Sequence, residues 1–567
     1  MPGKSERDVA HLLAEVTRRE GVETCFALLG DANMSFATRL MQMGARLVTV
    51  RHEHCAVAAA TAYARATGEG GFATVTCGPG LTQVLTALPA AVRSRTPLLI
   101  FAGEAPLSAG WYNQEIDQAP FVAAAGARYR RLHHVRRMAE ALRDAFLLAR
   151  TERVPVVVGV PFDLQAQTWP GLPLPEPSAT LVPEVGPLPP DPDDVARAAR
   201  LVAAARRIVV MAGRGAVAAG AGPACRALAA KVGGLLATTL PARGLFAGEP
   251  FSIGIAGGFS SAAARACFAE ADLVIAVGGR LAQHNTDRGK LWPKAEVLQI
   301  DIDPLTISQG QIVARHHLRA DARLGVLALS DALEPRGRSW RSDALARFIA
   351  ETPPDPAEFE NEPGLFDPRD VVAALDAALP REWEMVNSSG HCSFYVAQMA
   401  SRPVERFHTI REFGAIGNGI SYAIGVAAAR PDRTVVLFDG DGSLLMHVQE
   451  LETIRRLGLN VLICVLNDGA YGSEIHKLRA EGLPDDGAVF GRTDLAAIAR
   501  GFGLAGETPA DLEALPDLAR TFARTGGAAV WDFRISDRVA SPVIRRAHPE
   551  AHGDVERPVT LPEEARA

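Results

Sequence analysis

Apolar residues in this chain follow two patterns. Short continuous runs occur at Arg46–Val50, Phe72–Thr76, Leu98–Ala102, Val154–Gly159, Ile208–Ala212, Leu273–Val277, Val297–Ile302, Thr434–Asp439 and Val461–Asn467. Between them lie longer stretches with apolar residues at three- and four-residue spacing. In Ser5–Glu20, for example, Val9, Leu12, Leu13 and Val16 share one face. The runs predict strands buried on both sides, and the stretches predict amphipathic helices. Their alternation predicts parallel sheets covered by helices on both faces. Two proline-rich segments, Thr168 to Asp194 and Glu351 to Pro368, lack this periodicity and read as linkers. The expected fold is α/β, with three doubly wound, mainly parallel domains at residues 1–168, 190–350 and 365–548, each near the common domain size.

Composition adds mainly exclusions. Of the 567 residues, 48% are hydrophobic and 22% charged, a balance suited to domains with sizeable cores. The net charge of -6 offers no basic surface for nucleic acid. No uncharged apolar run approaches the roughly 20 residues that a membrane helix needs, and the start of the chain carries no secretory signal. Seven cysteines without Cys-x-x-Cys pairs fit a reduced, cytoplasmic protein.

In doubly wound sheets ligands sit beyond the C-terminal ends of the strands, so the residues after each run carry the chemistry. The run ending at Asp439 leads into Gly440-Asp441-Gly442-Ser443 and then a helical stretch. Glycines let backbone approach a ligand closely, and the start of a helix offers free N–H groups to an anion. Asp441 can hold a metal ion that neutralises phosphate oxygens. The next run, Val461–Leu466, ends in Asn467-Asp468-Gly469-Ala470-Tyr471-Gly472. Oxygen ligands from two neighbouring strand ends, a backbone carbonyl, water and two phosphate oxygens would complete an octahedral Mg²⁺ site.

A GDG motif followed at this distance by an asparagine-containing turn resembles the signature of thiamine-diphosphate enzymes. The chain is similar over almost its whole length to the superfamily of acetolactate synthase, pyruvate decarboxylase and benzoylformate decarboxylase. The resemblance implies thiamine-diphosphate-binding folds for the first and third domains and a Rossmann-like middle domain. It implies Asp441, Asp468 and the Ala470 carbonyl as metal ligands, with Gly440, Gly442, Ser443 and Gly472 around the diphosphate. Asp468 stands where the family usually has a second asparagine, and the extra carboxylate should tighten the metal and repel the diphosphate. By the same resemblance Gly390, His391 and Cys392 form a diphosphate loop. Ile416 wedges under the bent cofactor, and the Gly414 carbonyl accepts from its exocyclic amine.

Thiamine chemistry needs a carboxyl beside the pyrimidine ring nitrogen to favour the imino form of the cofactor. Arg51-His52-Glu53-His54, followed by the small-residue stretch Cys55–Thr67, matches the family's segment for that carboxyl and points to Glu53. Thr76-Cys77-Gly78-Pro79-Gly80 resembles a turn that shapes the pocket, and Asn113-Gln114-Glu115 resembles the loop carrying a substrate-facing glutamine, Gln114. The family builds each site from two subunits, which implies a homodimer or homotetramer with active sites at the interface.

The middle domain carries Gly213-Arg214-Gly215-Ala216-Val217-Ala218, a lone GxGxxA pattern and a weak dinucleotide signal. Acetolactate synthases bind flavin in this domain, so FAD is allowed by the resemblance. It is not favoured, because the partner acidic residue is not clear.

The resemblance leaves several reactions open. Asp31, in Gly30-Asp31-Ala32-Asn33, and Glu474 fall where pyruvate decarboxylases keep proton-handling carboxylates, while the loop near Trp111–Glu115 looks more like acetolactate synthase. The reading is a carboligase or decarboxylase acting on 2-oxo acids or related ketones through an enamine, with a carbonyl acceptor as second substrate. A diketone-cleaving lyase or hydrolase is chemically close. A flavin- or nicotinamide-dependent oxidoreductase and a non-catalytic cofactor-binding relative are the alternatives from other classes.

Overall fold

The computed structural model describes residues 7–335, 339–553 and 559–566. Ser5 and Glu6, the start of the first expected helix, lie outside the described residues. The helix itself runs Val9–Arg19 and buries Val9, Leu12, Leu13 and Val16 together. Asp8 caps it by accepting from the His11 N–H.

Three six-stranded parallel sheets form the frame. The first contains β1 (Thr24–Ala27), β2 (Arg46–Thr49), β3 (Gly71–Val75), β4 (Leu98–Glu104), β5 (Arg128–Arg131) and β6 (Pro155–Pro161), in the order β2-β1-β3-β4-β6-β5. The second contains β7 (Ile208–Ala212), β8 (Leu235–Thr238), β9 (Ser252–Ile255), β10 (Leu273–Val277) and β11 (Glu296–Asp301). A two-residue antiparallel hairpin, β12 (Ile307–Ser308) and β13 (Gln311–Ile312), then precedes β14 (His316–Arg319). The order β14-β11-β10-β7-β8-β9 is the Rossmann order read from its far edge. The third sheet contains β15 (Glu384–Asn387), β16 (Phe407–Thr409), β17 (Val435–Gly440), β18 (Val461–Asn467), β19 (Ala505–Glu507) and β20 (Ala528–Arg534). Its order, β16-β15-β17-β18-β20-β19, repeats that of the first sheet strand for strand.

The apolar runs at Ile208–Ala212, Leu273–Val277 and Val461–Asn467 are strands over those same residues, and every residue in them is buried. The strands without such runs lie mostly toward sheet edges. β5 is Arg-Tyr-Arg-Arg, largely exposed, at one end of the first sheet.

The first and third sheets are brought together by corresponding helices. Helix Glu53–Thr67 links β2 to β3, and helix Gly419–Ala429 links β16 to β17. Both are dominated by small and apolar residues, and they pack against each other in one hydrophobic cluster. The approach is so close that a Cβ on Gly425 would lie 2.2 Å from the Ala59 carbonyl oxygen.

The linkers are pinned to the domains beside them. In the first, the buried Ser178 donates its backbone N–H to Glu20 at 2.8 Å, and Arg150 reaches Ser178 Oγ at 3.1 Å. In the second, Asp355 makes a buried ion pair with Arg545 at 2.6 Å. The last described residues return to the middle domain, where Leu561 and Ala565 join its core.

Candidate active site

Asp441 opens a short helix directly after β17, with Gly440 in extended conformation as its N-cap. One strand over, β18 ends at Asn467. Its amide turns back into the fold, donating to Asp532 at 2.8 Å and to the Thr493 carbonyl at 3.0 Å. The next residue points the other way, so Asp468 faces Asp441, and the two carboxyl groups are in hydrogen-bond contact. Asp441 also accepts the Gly469 N–H at 2.9 Å, and Asp468 the Ala470 N–H at 3.2 Å. Burial raises Asp441 to about 6. Burial, with the charge of Asp441 adding to it, pushes Asp468 well above the ordinary carboxylate range. Two buried carboxyls in contact need a proton or a cation between them. A divalent ion fits this pair, and with two protein carboxylates it would keep coordination positions for a carbonyl, water and phosphate oxygens.

An open cleft lies over the pair. Its walls include Gly390, His391, Cys392, Ile416, Gly440, Asp441, Gly442, Ser443, Asp468, Ala470, Gly472 and Glu474. These expected residues therefore come together from the segments that follow β15, β16, β17 and β18. The expected Gly414 is not among the lining residues; it sits in the exposed turn just before Ile416. Sequence reading missed Ser389, Tyr395, Leu466, Tyr471, Ser473 and Ile535, which also line the space. Tyr471 was legible in principle, because it belongs to the turn between Asp468 and Gly472.

Glycines make the cradle. A Cβ on Gly442 would lie 2.9 Å from the Tyr471 ring, and one on Gly390 3.6 Å from Ile416 Cγ2. Ser443 fastens the Ile416 turn to the Asp441 helix by accepting the Gly417 N–H at 2.9 Å. His391 accepts the Ser541 N–H at 3.0 Å, and its ring centroid lies 4.7 Å from that of His476. Burial holds His391 well below the ordinary imidazole range and His476 at about 4, so both rings are neutral at pH 7. Beneath the cavity Asp439 is fully buried and raised to about 7, mainly by burial. Its position at the end of the same apolar run was the available signal for it.

No first-domain residue is among those lining this cavity. Glu53 begins its helix at the C-terminal edge of the first sheet, behind the N-cap His52. Arg51 does not neutralise it. The guanidinium pairs with Glu452 at 2.6 Å instead, and the Arg51 N–H donates to Glu450. A Cβ on Gly80 would lie 3.7 Å from Glu53 Oε1 and 2.7 Å from Thr76 Cγ2, which puts the Thr76–Gly80 turn beside the glutamate. Gln114 reaches the same turn, its Oε1 3.4 Å from Cys77 Sγ. Asp31 lies exposed in the neighbouring loop, where Asn33 accepts the Gly30 N–H at 2.8 Å. Glu474 has a side chain 55% exposed and an ion pair with Lys477 at 3.3 Å. Within one chain both of these carboxylates therefore face solvent, rather than the semi-buried pocket that proton donation would favour.

In the middle domain the Gly213–Ala218 turn packs on its neighbour. Gly213 and Gly215 donate their N–H groups to the carbonyls of Val277 and Gly278, both at 2.8 Å. A Cβ on Gly213 would lie 2.3 Å from the Gly278 oxygen. The glycines serve close contact between two loops, and the donors that a dinucleotide phosphate would use are engaged there.

Comparison with known proteins places this geometry. Residues 7–121 match the N-terminal thiamine pyrophosphate binding domain, 195–329 the central domain and 388–533 the C-terminal binding domain of thiamine pyrophosphate enzymes. The chain belongs to the thiamine pyrophosphate enzyme family. Within it, the chain is similar to acetolactate synthase large subunits. A Mycobacterium tuberculosis protein that bears a provisional name as the large subunit IlvB2 is 30% identical over 561 residues, covering 94% of this chain and 98% of that protein. The large subunit of Parasynechococcus marenigrum is 29% identical, covering 89% of this chain and 84% of its own length. That of Escherichia coli isozyme 2 is also 29% identical, covering 88% and 90%.

Proposed function

We propose that this enzyme joins a 2-oxo acid, after loss of carbon dioxide, to a carbonyl acceptor, as an acetolactate-synthase-like carboligase. The observation that carries the reading is the cavity in which Asp441 and Asp468 meet beneath Gly390, His391, Cys392 and Ile416. Its carboxyl pair suits Mg²⁺, and its glycine walls suit a diphosphate. Asp441, Asp468 and the Ala470 carbonyl would hold the metal. Gly440, Gly442, Ser443 and Gly472 would surround the diphosphate, and Gly414 and Ile416 the bend. Bound thiamine diphosphate supplies the nucleophilic carbon and the electron sink for cleavage beside a carbonyl.

The chain's own residues hold and move protons around it. Glu53 would keep a proton at the pyrimidine nitrogen. Gln114 would orient the substrate, and Asp31 and Glu474 would exchange protons with it once a second chain closes over them. The absence of first-domain residues from the cavity wall supports a site shared between two copies, hence a homodimer or homotetramer. Seven buried cysteines, none in a disulfide, accord with a cytoplasmic setting. Among the described residues no helix is long and apolar enough to cross a membrane.

The test is carbon dioxide release from a panel of 2-oxo acids, beginning with pyruvate, with thiamine diphosphate and Mg²⁺ present. Release should need both additions, and Glu53→Gln should lower it by about 100-fold or more while cofactor binding persists. Binding without release from any acid would instead favour a diketone-cleaving enzyme.

A further inference from the structure

Beside Glu53 the first domain gathers groups that the reading above leaves partly unused. Cys77 is buried at the end of β3, with Sγ 3.4 Å from Gln114 Oε1. The Tyr112 hydroxyl is in hydrogen-bond contact with the same thiol, and Asp31 lies close enough for its charge to act on both. The Tyr112 ring is held edge-on to Phe162, centroids 5.4 Å apart. The loop bearing Tyr112 and Gln114 lies directly against the β3 turn, where a Cβ on Gly78 would lie 2.1 Å from the Gln114 carbonyl oxygen. Gln118 fixes that turn from behind by accepting the Gly78 N–H at 3.0 Å. The outcome is a phenol, an amide and a carboxylate set around one thiol, on the sheet edge that presents Glu53.

We propose that Tyr112 contacts the acceptor substrate, donating a hydrogen bond to its carbonyl oxygen and then its proton as that oxygen becomes a hydroxyl. The inference rests on the carboligase reading. In the balanced step the donor's bond between carboxylate and carbonyl carbon breaks, and carbon dioxide leaves without the electron pair. That pair forms the new bond to the acceptor's carbonyl carbon. The acceptor's π pair moves to oxygen, which takes the Tyr112 proton, and the phenolate regains one from water. One proton is consumed and no oxidant is needed. Burial, with the charges of Cys77 and Asp31 adding to it, raises the Tyr112 hydroxyl above its ordinary range, so the proton is present at neutral pH. Gln114, beside it, is placed to receive the acceptor's second polar group.

Tyr112→Phe keeps the ring on Phe162 and removes only the hydroxyl. With pyruvate as donor and acceptor, thiamine diphosphate and Mg²⁺ present, the variant should lower the ratio of carbon–carbon-bonded product to free aldehyde by about tenfold. Carbon dioxide release should fall less than the carbon–carbon-bonded product does, and cofactor affinity, read by tryptophan fluorescence, should be unchanged. Tyr112→Ala should shift the ratio in the same direction and also lower the melting temperature. An unchanged ratio in Tyr112→Phe with carbon dioxide still released overturns the inference, as does a proportionate fall of both products. Wild-type protein that binds thiamine diphosphate and releases no carbon dioxide from pyruvate or any other acid of the panel overturns the carboligase reading itself.

Discussion

Asp468 and Gly472 meet so closely that no side chain fits between them: a Cβ on Gly472 would lie 2.3 Å from Asp468 Oδ2 and 3.1 Å from His391 Nδ1. The glycine begins the helix that covers the carboxyl pair, and its missing side chain lets that helix start against the Asp468 carboxylate. Glycine turn and carboxyl pair are therefore built as one unit.

Gly472→Ala should push Asp468 off the Asp441 carboxyl without disturbing a core. Mg²⁺-dependent binding of thiamine diphosphate should weaken by about 10- to 100-fold, the range for losing a group that orients a ligand. The melting temperature without cofactor should move little. Calorimetric titration with thiamine diphosphate at fixed Mg²⁺ checks both, and unchanged affinity would remove Gly472 from the cradle.

The carboxyl pair gives the metal-free protein a characteristic pH response. Burial first, then the hydrogen bonds around it, set Asp441 at about 6, and Asp468 is raised as well. An unfolded aspartate titrates near 4. Between those values the folded chain retains protons that the unfolded chain has released. The pair's contribution to stability is thus full below about pH 4 and is lost as pH rises through about 6. Asp468→Asn removes half of the pair and should flatten this fall; Mg²⁺ with thiamine diphosphate should do the same for the wild type. Urea midpoints across pH 4 to 8 test it, with an equal slope in the variant counting against the coupling.

The contact between the first and third domains has a similar tightness. Gly425→Val would drive a branched side chain at the Ala59 carbonyl and the Ala62 methyl, 2.2 and 2.8 Å from its Cβ. Overpacking of this kind costs roughly 1–3 kcal/mol, and a backbone obstacle puts the cost at the upper end. Chemical denaturation should register the loss directly, together with reduced activity from displacement of helix Glu53–Thr67.

What the sequence made legible was local. Val461–Asn467 reads as a strand because every side chain in it is apolar up to Asn467 and all are buried. Gly440-Asp441-Gly442 and Asn467-Asp468 read as a site because each motif is compact and sits at a strand end. β5 was invisible, since an edge strand of three arginines and a tyrosine has neither alternation nor an apolar run. The same holds for relations that only folding creates. His54 stacks on His447 at 4.8 Å and bonds Asn418 at 2.6 Å, across hundreds of residues of chain. Tyr112 meets Cys77 through a loop whose course no periodicity reports.

Because the first and third sheets share one strand order and meet through corresponding helices, a single chain behaves as a tethered pair of like halves. In an untethered symmetric pair every substitution strikes both faces of the contact at once. Here each strikes one. Glycine at 425 can oppose alanines at 59 and 62, and one half can carry Glu53 while the other carries Asp441 and Asp468. The tether thus frees the two halves to specialise, and a division of labour becomes possible within a repeated architecture.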